Sequence, residues 1–410
     1  MKTIALRRIA SVLNGGTPTA VENNWNGDVP WATPVDLARV NGSSITSTQR
    51  TLSLEGLQAG SALAPTESVL VSSRAPIGYT ARNLVPMAFN QGCKAAVPID
   101  GHSSRFLQYA LIALTSAMEA AGTGSTFLEL STEAFASLPV PIADARQQRR
   151  IAAFLDDRVA RIDQIITARR AQIAALDENY VAWLGSFIDA LGARHGWAPL
   201  RRFDVSIEQG WSPEADSVPA MPGQPGVLKL GAVRGGLFDA GQNKAFLDGV
   251  APREEWRILD GDLLVTRANT PSLVGDAAVA EQVDAMVYLS DLIYRLRTDH
   301  YGGLLASAAL RTTRTRQVIG VIARGTSGSM PKLRGEDILA LPVPAAPVKQ
   351  HDPLGNEERE QRRERDHRIA ELRNAIYLAS EYKQSLITAA VTGEVDVTTA
   401  NSGIPGMRRG

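Results

Sequence analysis

The sequence contains one cysteine, Cys93. Disulfides are thereby excluded, and so are zinc centres built from several thiolates. The five histidines (His102, His195, His300, His351 and His367) show no ligand-like spacing, so no metal site is expected. No apolar run reaches the roughly 18 residues that a membrane helix needs, and no basic segment leads into an apolar core near Met1. The expectation is a cytoplasmic protein that does not engage a membrane. Excess charge is missing too: 43 Lys and Arg balance 43 Asp and Glu. A freestanding nucleic-acid binder usually carries a basic surplus that neutralises phosphates. Either this chain leaves nucleic acid alone, or other subunits supply most of the phosphate contacts.

Catalytic signatures are absent as well. There is no Gly-x-x-x-x-Gly-Lys-Ser/Thr loop, no Gly-x-Ser-x-Gly elbow and no dinucleotide glycine fingerprint. The Asn/Asp-Pro-Pro-Tyr/Phe tetrapeptide with which amino-methyltransferases hold a flipped base is also missing. Gly122-Thr123-Gly124-Ser125-Thr126 looks phosphate-friendly but lacks the lysine, and reads as a structural turn over a helix end. The acid pairs Asp156-Asp157 and Glu254-Glu255 lie in charged contexts and read as surface. The chain is not expected to be an enzyme.

What is present is a long repeat. Leu6-Arg7-Arg8 with Gly16 recurs as Leu200-Arg201-Arg202 with Gly210, and Leu70-Val71 recurs as Leu264-Val265, all at a spacing of 194. Gly122-Thr123, Leu130 and Leu138-Pro139-Val140-Pro141 recur as Gly325-Thr326, Leu333 and Leu341-Pro342-Val343-Pro344, at a spacing of 203. This period is far longer than the 20–50 residues of solenoids. It describes two copies of one globular unit, each followed by a long helix. Within residues 1–143, short β-type runs such as Val69–Ser72 and Lys94–Val97 are broken by turn signals. Phe106–Ala121 has helical periodicity, and Ser131 suits an N-cap. Residues 197–347 repeat the scheme with runs Asp262–Thr266 and Met286–Leu289.

Residues 144–196 differ in character. Ile151, Leu155, Val159, Ile162, Ile166, Ile173, Leu176, Tyr180, Leu184, Phe187 and Leu191 step by threes and fours, skipping only Arg169, with no proline between them. That pattern is a helix of about 50 residues, on the order of 70 Å long, whose narrow stripe calls for one partner helix. Residues 348–397 supply it through Ile369, Leu372, Ile376, Ala379, Tyr382, Leu386 and Ala390. Pro353 and Gly355 place the start of this second helix near Asn356. Residues 398–410 are expected to be a flexible tail. The fold class is therefore α+β: two repeated globular α/β domains separated by two long helices that form an antiparallel coiled coil.

Basic charge is local. No acidic residue stands between Asp299 and Glu336, where Arg311, Arg314, Arg316, Arg324, Lys332 and Arg334 lie; the matching stretch Phe106–Ala145 has no Lys or Arg. The run is either the wet face of a helix or a phosphate grip leading into the turn that holds Ser327 and Ser329. The DNA-contact candidates are accordingly Arg311, Arg314, Arg324, Ser327, Ser329, Lys332 and Arg334. Arg74, Lys94, Ser125, Thr126 and Arg267 join them from the matching strands and turns. Trp25, Trp31, Trp211 and Trp256 suit base stacking or, more commonly, core packing.

In its order of parts the chain resembles the specificity subunit of type I restriction-modification systems. The local wording agrees: the Gly-Thr-Gly-Ser-Thr and Gly-Thr-Ser-Gly-Ser turns, the Leu-Pro-Val-Pro hinges, and Arg146-Gln147-Gln148-Arg149-Arg150-Ile151-Ala152-Ala153-Phe154-Leu155-Asp156. The ending Leu386-Ile387-Thr388-Ala389-Ala390-Val391-Thr392-Gly393-Glu394-Val395-Asp396 is similar too. Lys349–Gly355 departs from the pattern, where a continuous helix start is usual. The resemblance implies a non-catalytic subunit with target recognition domains at 1–143 and 197–347, each reading half of a bipartite, asymmetric double-stranded DNA site. It implies two methyltransferase subunits docked on the helices and two motor-nuclease subunits in the full complex. S-adenosylmethionine, ATP and Mg would then belong to those partners, with no cofactor in this chain. Two other readings remain: a coiled-coil adaptor without DNA readout of its own, and a stand-alone DNA methyltransferase, which the missing tetrapeptide disfavours.

Overall fold

The computed structural model describes residues 1–74, 76–124, 128–297, 302–323 and 330–397; the expected tail at 398–410 lies outside them. The chain divides into two compact units, Met1–Arg169 with the segment from Asn374 onward, and Arg170–Arg373. Two long helices, Ala145–His195 and Val348–Thr392, contribute to both. Among the described residues no helix is long and apolar enough to cross a membrane.

In the first unit a five-stranded sheet runs in the order Ala10–Asn14, Cys93–Pro98, Val69–Ser72, Thr80–Asn83, Ser43–Ile45. Every neighbouring pair is antiparallel except the last. A four-stranded sheet of Arg50–Leu52, Trp25–Ala32, Met87–Phe89 and Ala62–Ala64 lies beside it in the chain path. The periodic segment after it forms two helices, Ser104–Ala113 and Thr115–Ala120, instead of one. The break has a local cause: the Thr115 hydroxyl donates to the Ile112 carbonyl, and Leu114 takes a bridge-region backbone at φ −96° and ψ 11°. Ser131 caps the helix Thr132–Ala136, accepting from the Ala134 N–H.

The second unit repeats the plan with a four-stranded sheet in the order Ser206–Gln209, Ile293–Arg297, Leu263–Thr266, Ala277–Val279. The homology of the two copies is visible in single hydrogen bonds. Lys2–Ala5 pairs antiparallel with Pro139–Ile142, and Trp197–Pro199 pairs antiparallel with Pro342–Pro344. In both, the next N–H closes the ribbon at 2.9 Å, Leu6 onto the Leu138 carbonyl and Leu200 onto that of Leu341. Two-stranded ribbons tolerate the alternating prolines because their outward N–H positions need no ladder partner. The Leu-Pro-Val-Pro motifs thus bring each unit's last strand back to its first. The glycine of the repeat also has a steric reason: a Cβ at Gly210 would stand 2.0 Å from the Leu289 carbonyl oxygen. Its structural counterpart is Gly15, whose Cβ would lie 1.9 Å from the Asn90 oxygen, one residue before the sequence match at Gly16.

Each unit's core includes its share of the long helices. In the first, Phe106, Leu107, Ala110 and Leu111 pack with Ile151, Leu155, Val159, Ile387, Ala390 and Val391. In the second, Leu305, Ala308 and Ala309 pack with Tyr180, Leu184, Ile188 and Leu191. The helices run antiparallel in each case, as the Lys383–Asp163 pair at 2.7 Å in one unit and the Arg365–Asp177 pair at 3.8 Å in the other illustrate. Leu155 is fully buried at this junction. Leu155→Ala is expected to cost about 2–5 kcal/mol, read as a lower urea midpoint at unchanged slope.

The second long helix begins at Val348, not near Asn356, and carries Pro353 within it. Packing explains the difference. Gly355 lies so close to Leu304 that an added Cβ would be 2.5 Å from that side chain's Cβ. His351 is buried, accepting the Gly302 N–H at Nδ1 and meeting the Ala346 carbonyl from Nε2 at 2.8 Å. These contacts offset the one backbone bond that proline cannot make.

Candidate nucleic-acid interface

Lys94 and Arg311, both candidates from sequence, are placed inside the fold. Lys94 is 6% exposed, and its ammonium donates to Asn14 Oδ1 and Thr132 Oγ1 at 3.1 Å each. Burial holds its pKa below the ordinary lysine value. Arg311 donates to the Glu358 carboxylate at 2.6 Å and to the Tyr180 hydroxyl at 3.0 Å, while that hydroxyl itself donates to Glu358. The two side chains of the ion pair are 6% and 1% exposed. Burial alone would favour the neutral guanidine, but Glu358 and Tyr180 hold Arg311 above its ordinary pKa. Arg311 therefore clamps a helix of its unit to both long helices.

Four further arginines are occupied by neighbours. Arg316 donates to the carbonyls of Val274 and Ser272 at 2.5 and 3.0 Å, and burial lowers its pKa. Arg267 reaches the Tyr294 hydroxyl at 3.2 Å and the Asp291 carbonyl at 3.3 Å. Arg314 pairs with Asp189 at 2.9 Å and lies over the Trp197 ring at 4.9 Å, although it is half-exposed. Arg74 is partly exposed, 3.7 Å from Glu129.

Lys332 and Arg334 remain at the surface. Arg334 meets Glu336 at 3.3 Å, an exposed pair worth at most about 1 kcal/mol. Lys332 forms a backbone bridge with Ala268, where the first unit bridges Glu129 to Arg74. The charge at this position is thus reversed between the copies: a neutralised Arg–Glu pair in one, an exposed lysine in the other. Ser125, Thr126, Arg324, Ser327 and Ser329 lie outside the described residues. Among the described residues, Arg311 and Arg316 of the basic run are internal structure, Arg314 is exposed but paired with Asp189, and Lys332 and Arg334 are at the surface.

Sequence reasoning also passed over two arginines that the fold sets beside tryptophans. Arg50 Cζ lies 3.7 Å from the Trp25 ring centroid and 5.3 Å from that of Trp31, two rings packed edge to face at 5.0 Å. Arg253 Cζ lies 4.5 Å from Trp211 and 4.9 Å from Trp256, whose centroids are 5.9 Å apart. The available signal was the tryptophans themselves; cross-chain placement of an arginine over them is not visible in spacing.

The structure is thus two α+β units built on one plan, each packed on its share of an antiparallel helix pair. Residues 1–175 match the family model described as the type I restriction modification DNA specificity domain, and the chain resembles the specificity subunits of those systems. It is 31% identical over 177 residues to the type I restriction enzyme MjaIX specificity subunit of Methanocaldococcus jannaschii, covering 42% of this chain and 40% of that one. It is 27% identical over 156 residues to the type I restriction enzyme EcoEI specificity subunit of Escherichia coli, covering 37% of this chain and 26% of that one. These matches therefore span less than half the length of either relative. A solved chain from work on complex assembly and conformational transition of the type I R-M system superposes with a TM-score of 0.67 at 13% identity, over 96% of this chain and 98% of that one. That likeness establishes a shared fold.

Proposed function

We propose that this chain is the DNA sequence-specificity subunit of a type I restriction-modification complex. The observation that carries the reading is the repeated closure of two units, Leu6 onto Leu138 and Leu200 onto Leu341, in a chain whose residues 1–175 match the specificity-domain model. Under this reading residues 1–143 and 197–347 each recognise one half of a bipartite, asymmetric site. The helices dock two methyltransferase subunits, and two motor-nuclease subunits join the full complex. The chain supplies no chemistry; adenine methylation and ATP-dependent cleavage belong to the partners, with their S-adenosylmethionine, ATP and Mg, in the cytoplasm. A neutral chain suits this role, since its partners can furnish phosphate contacts that its own charge does not. Gel-shift of a target duplex with and without the methyltransferase subunits tests it. Sequence-specific retardation by the assembled complex is expected, and none by the methyltransferase alone. Equal retardation without this chain would reject the assignment.

The asymmetry of charge adds a second expectation. Phosphate contacts made by this chain should concentrate on the half-site read by residues 197–347, through Lys332, Arg334 and Arg324. Changing all three to Ala should weaken binding by the complex and lower the slope of log K against log salt by about one for each phosphate no longer neutralised. An unchanged affinity and slope in a folded variant would place these residues outside the interface.

A further inference from the structure

Four of the six tryptophans belong to the two arginine-topped aromatic pairs. The pairs are built from different chain positions, yet both adjoin the same turn of the repeated fold. In the first unit the Trp31 indole N–H donates to the Gly16 carbonyl at 3.1 Å, and the Gly16 N–H donates to Phe89 at 2.9 Å. In the second, Trp211 itself takes the place of Gly16, with its N–H aimed at Leu289 at 3.4 Å. The Trp211 indole N–H and the hydroxyl of its bridge partner Ser290 are buried without a hydrogen-bond partner among the described residues. A cluster serving packing alone would satisfy that donor.

The arginines are the notable part. Both are exposed, and no ion pair or side-chain hydrogen bond engages either guanidinium among the described residues, in contrast to Arg311, Arg316, Arg267 and Arg314. Contact with ring faces fixes the position of a guanidinium through its π-surface and leaves its N–H groups available. Such a group is organised in advance to meet an acceptor pair in one plane, as the O6 and N7 atoms of guanine present in the major groove.

We propose that Arg50 and Arg253, each held on its tryptophan pair, are specificity-determining residues that read a base within the half-site of their own unit. This rests on the specificity-subunit reading above. The test is sequencing of methylated DNA from a host carrying the complete system with the chain unaltered, or with Arg50→Ala, Arg50→Lys, Arg253→Ala or Arg253→Lys. Loss of preference at one position of one half-site, by roughly 5- to 150-fold, is expected from each Ala variant, with the other half-site intact. Lysine keeps the charge but not the planar donor pair, so it should relax the same position. A motif unchanged in all four variants, with methylation at the normal level, overturns the proposal. So does uniform loss of methylation with the motif intact in variants whose thermal unfolding matches the unaltered chain. Absence of any sequence-specific methylation with the unaltered chain would instead overturn the specificity-subunit reading itself.

Discussion

Exchange of residues 1–143 for the corresponding segment of a relative is expected to change one half of the methylated motif and leave the other half as it was. The physical basis is local completeness. The first unit's strands and the helix Ser104–Ala113 close on themselves through the ribbon of Lys2–Ala5 with Pro139–Ile142. Its bases of attachment are the apolar positions Ile151, Leu155, Val159, Ile387 and Val391 on the long helices, which the exchange retains. A donor segment must keep an apolar face toward them. Each base pair mismatched to the new reader costs about 1–3 kcal/mol, so a changed half-site amounts to orders of magnitude in occupancy. The measurement is methylome sequencing before and after exchange. Alteration of both halves would show that the units do not read independently.

The largest stability effect is expected at Glu358. Its side chain is 1% exposed, accepts hydrogen bonds from Arg311 and Tyr180, and lies 3.4 Å from the Arg362 guanidinium as an ion pair. Burial by itself would raise its pKa, but Arg311 and the Tyr180 hydrogen bond hold it below the ordinary carboxylate value of 4.5. Glu358→Ala leaves Arg311 buried without its counter-charge and should cost about 3–5 kcal/mol. Arg311→Met with Glu358→Leu removes both charges together and should cost much less, since desolvation of the pair offsets most of its attraction. Urea unfolding of the purified chain separates the two; a loss below about 1 kcal/mol for Glu358→Ala would contradict the clamp. The pH dependence has a definite sign. Because the folded pKa is depressed, the carboxylate's contribution is complete above the ordinary value and is lost as pH falls through the folded one. The double variant should lack that acid-side loss.

Much of the fold is legible in the residues because the repeat and the helix stripe are periodic properties. Val69–Ser72 emerges with the bounds its apolar run predicts, and the stripe from Ile151 to Leu191 becomes one helix. The split of Phe106–Ala121 at Leu114 has a local cause, whereas the misplaced start of the second long helix is a matter of tertiary context. Pro353 and Gly355 look like helix breakers until Gly355 is seen against Leu304. The candidate site is legible in less detail. Arg311 shows a charge in the sequence, whereas the partners that bury it stand 47 and 131 residues away. Lys94 is similarly claimed by Asn14 and Thr132, 80 and 38 residues off. Arg50 illustrates the converse: Trp31 lies opposite it across the strand pair, in a register that no local spacing announces.

The central claim is that this chain gives a methylation complex a two-part DNA specificity. It is tested most directly by sequencing methylated DNA from cells that carry the partner subunits with and without this chain. One motif of two short, unlike half-sites around an unread spacer is expected, present only with the chain. A continuous or palindromic motif, or the same motif in its absence, would contradict it.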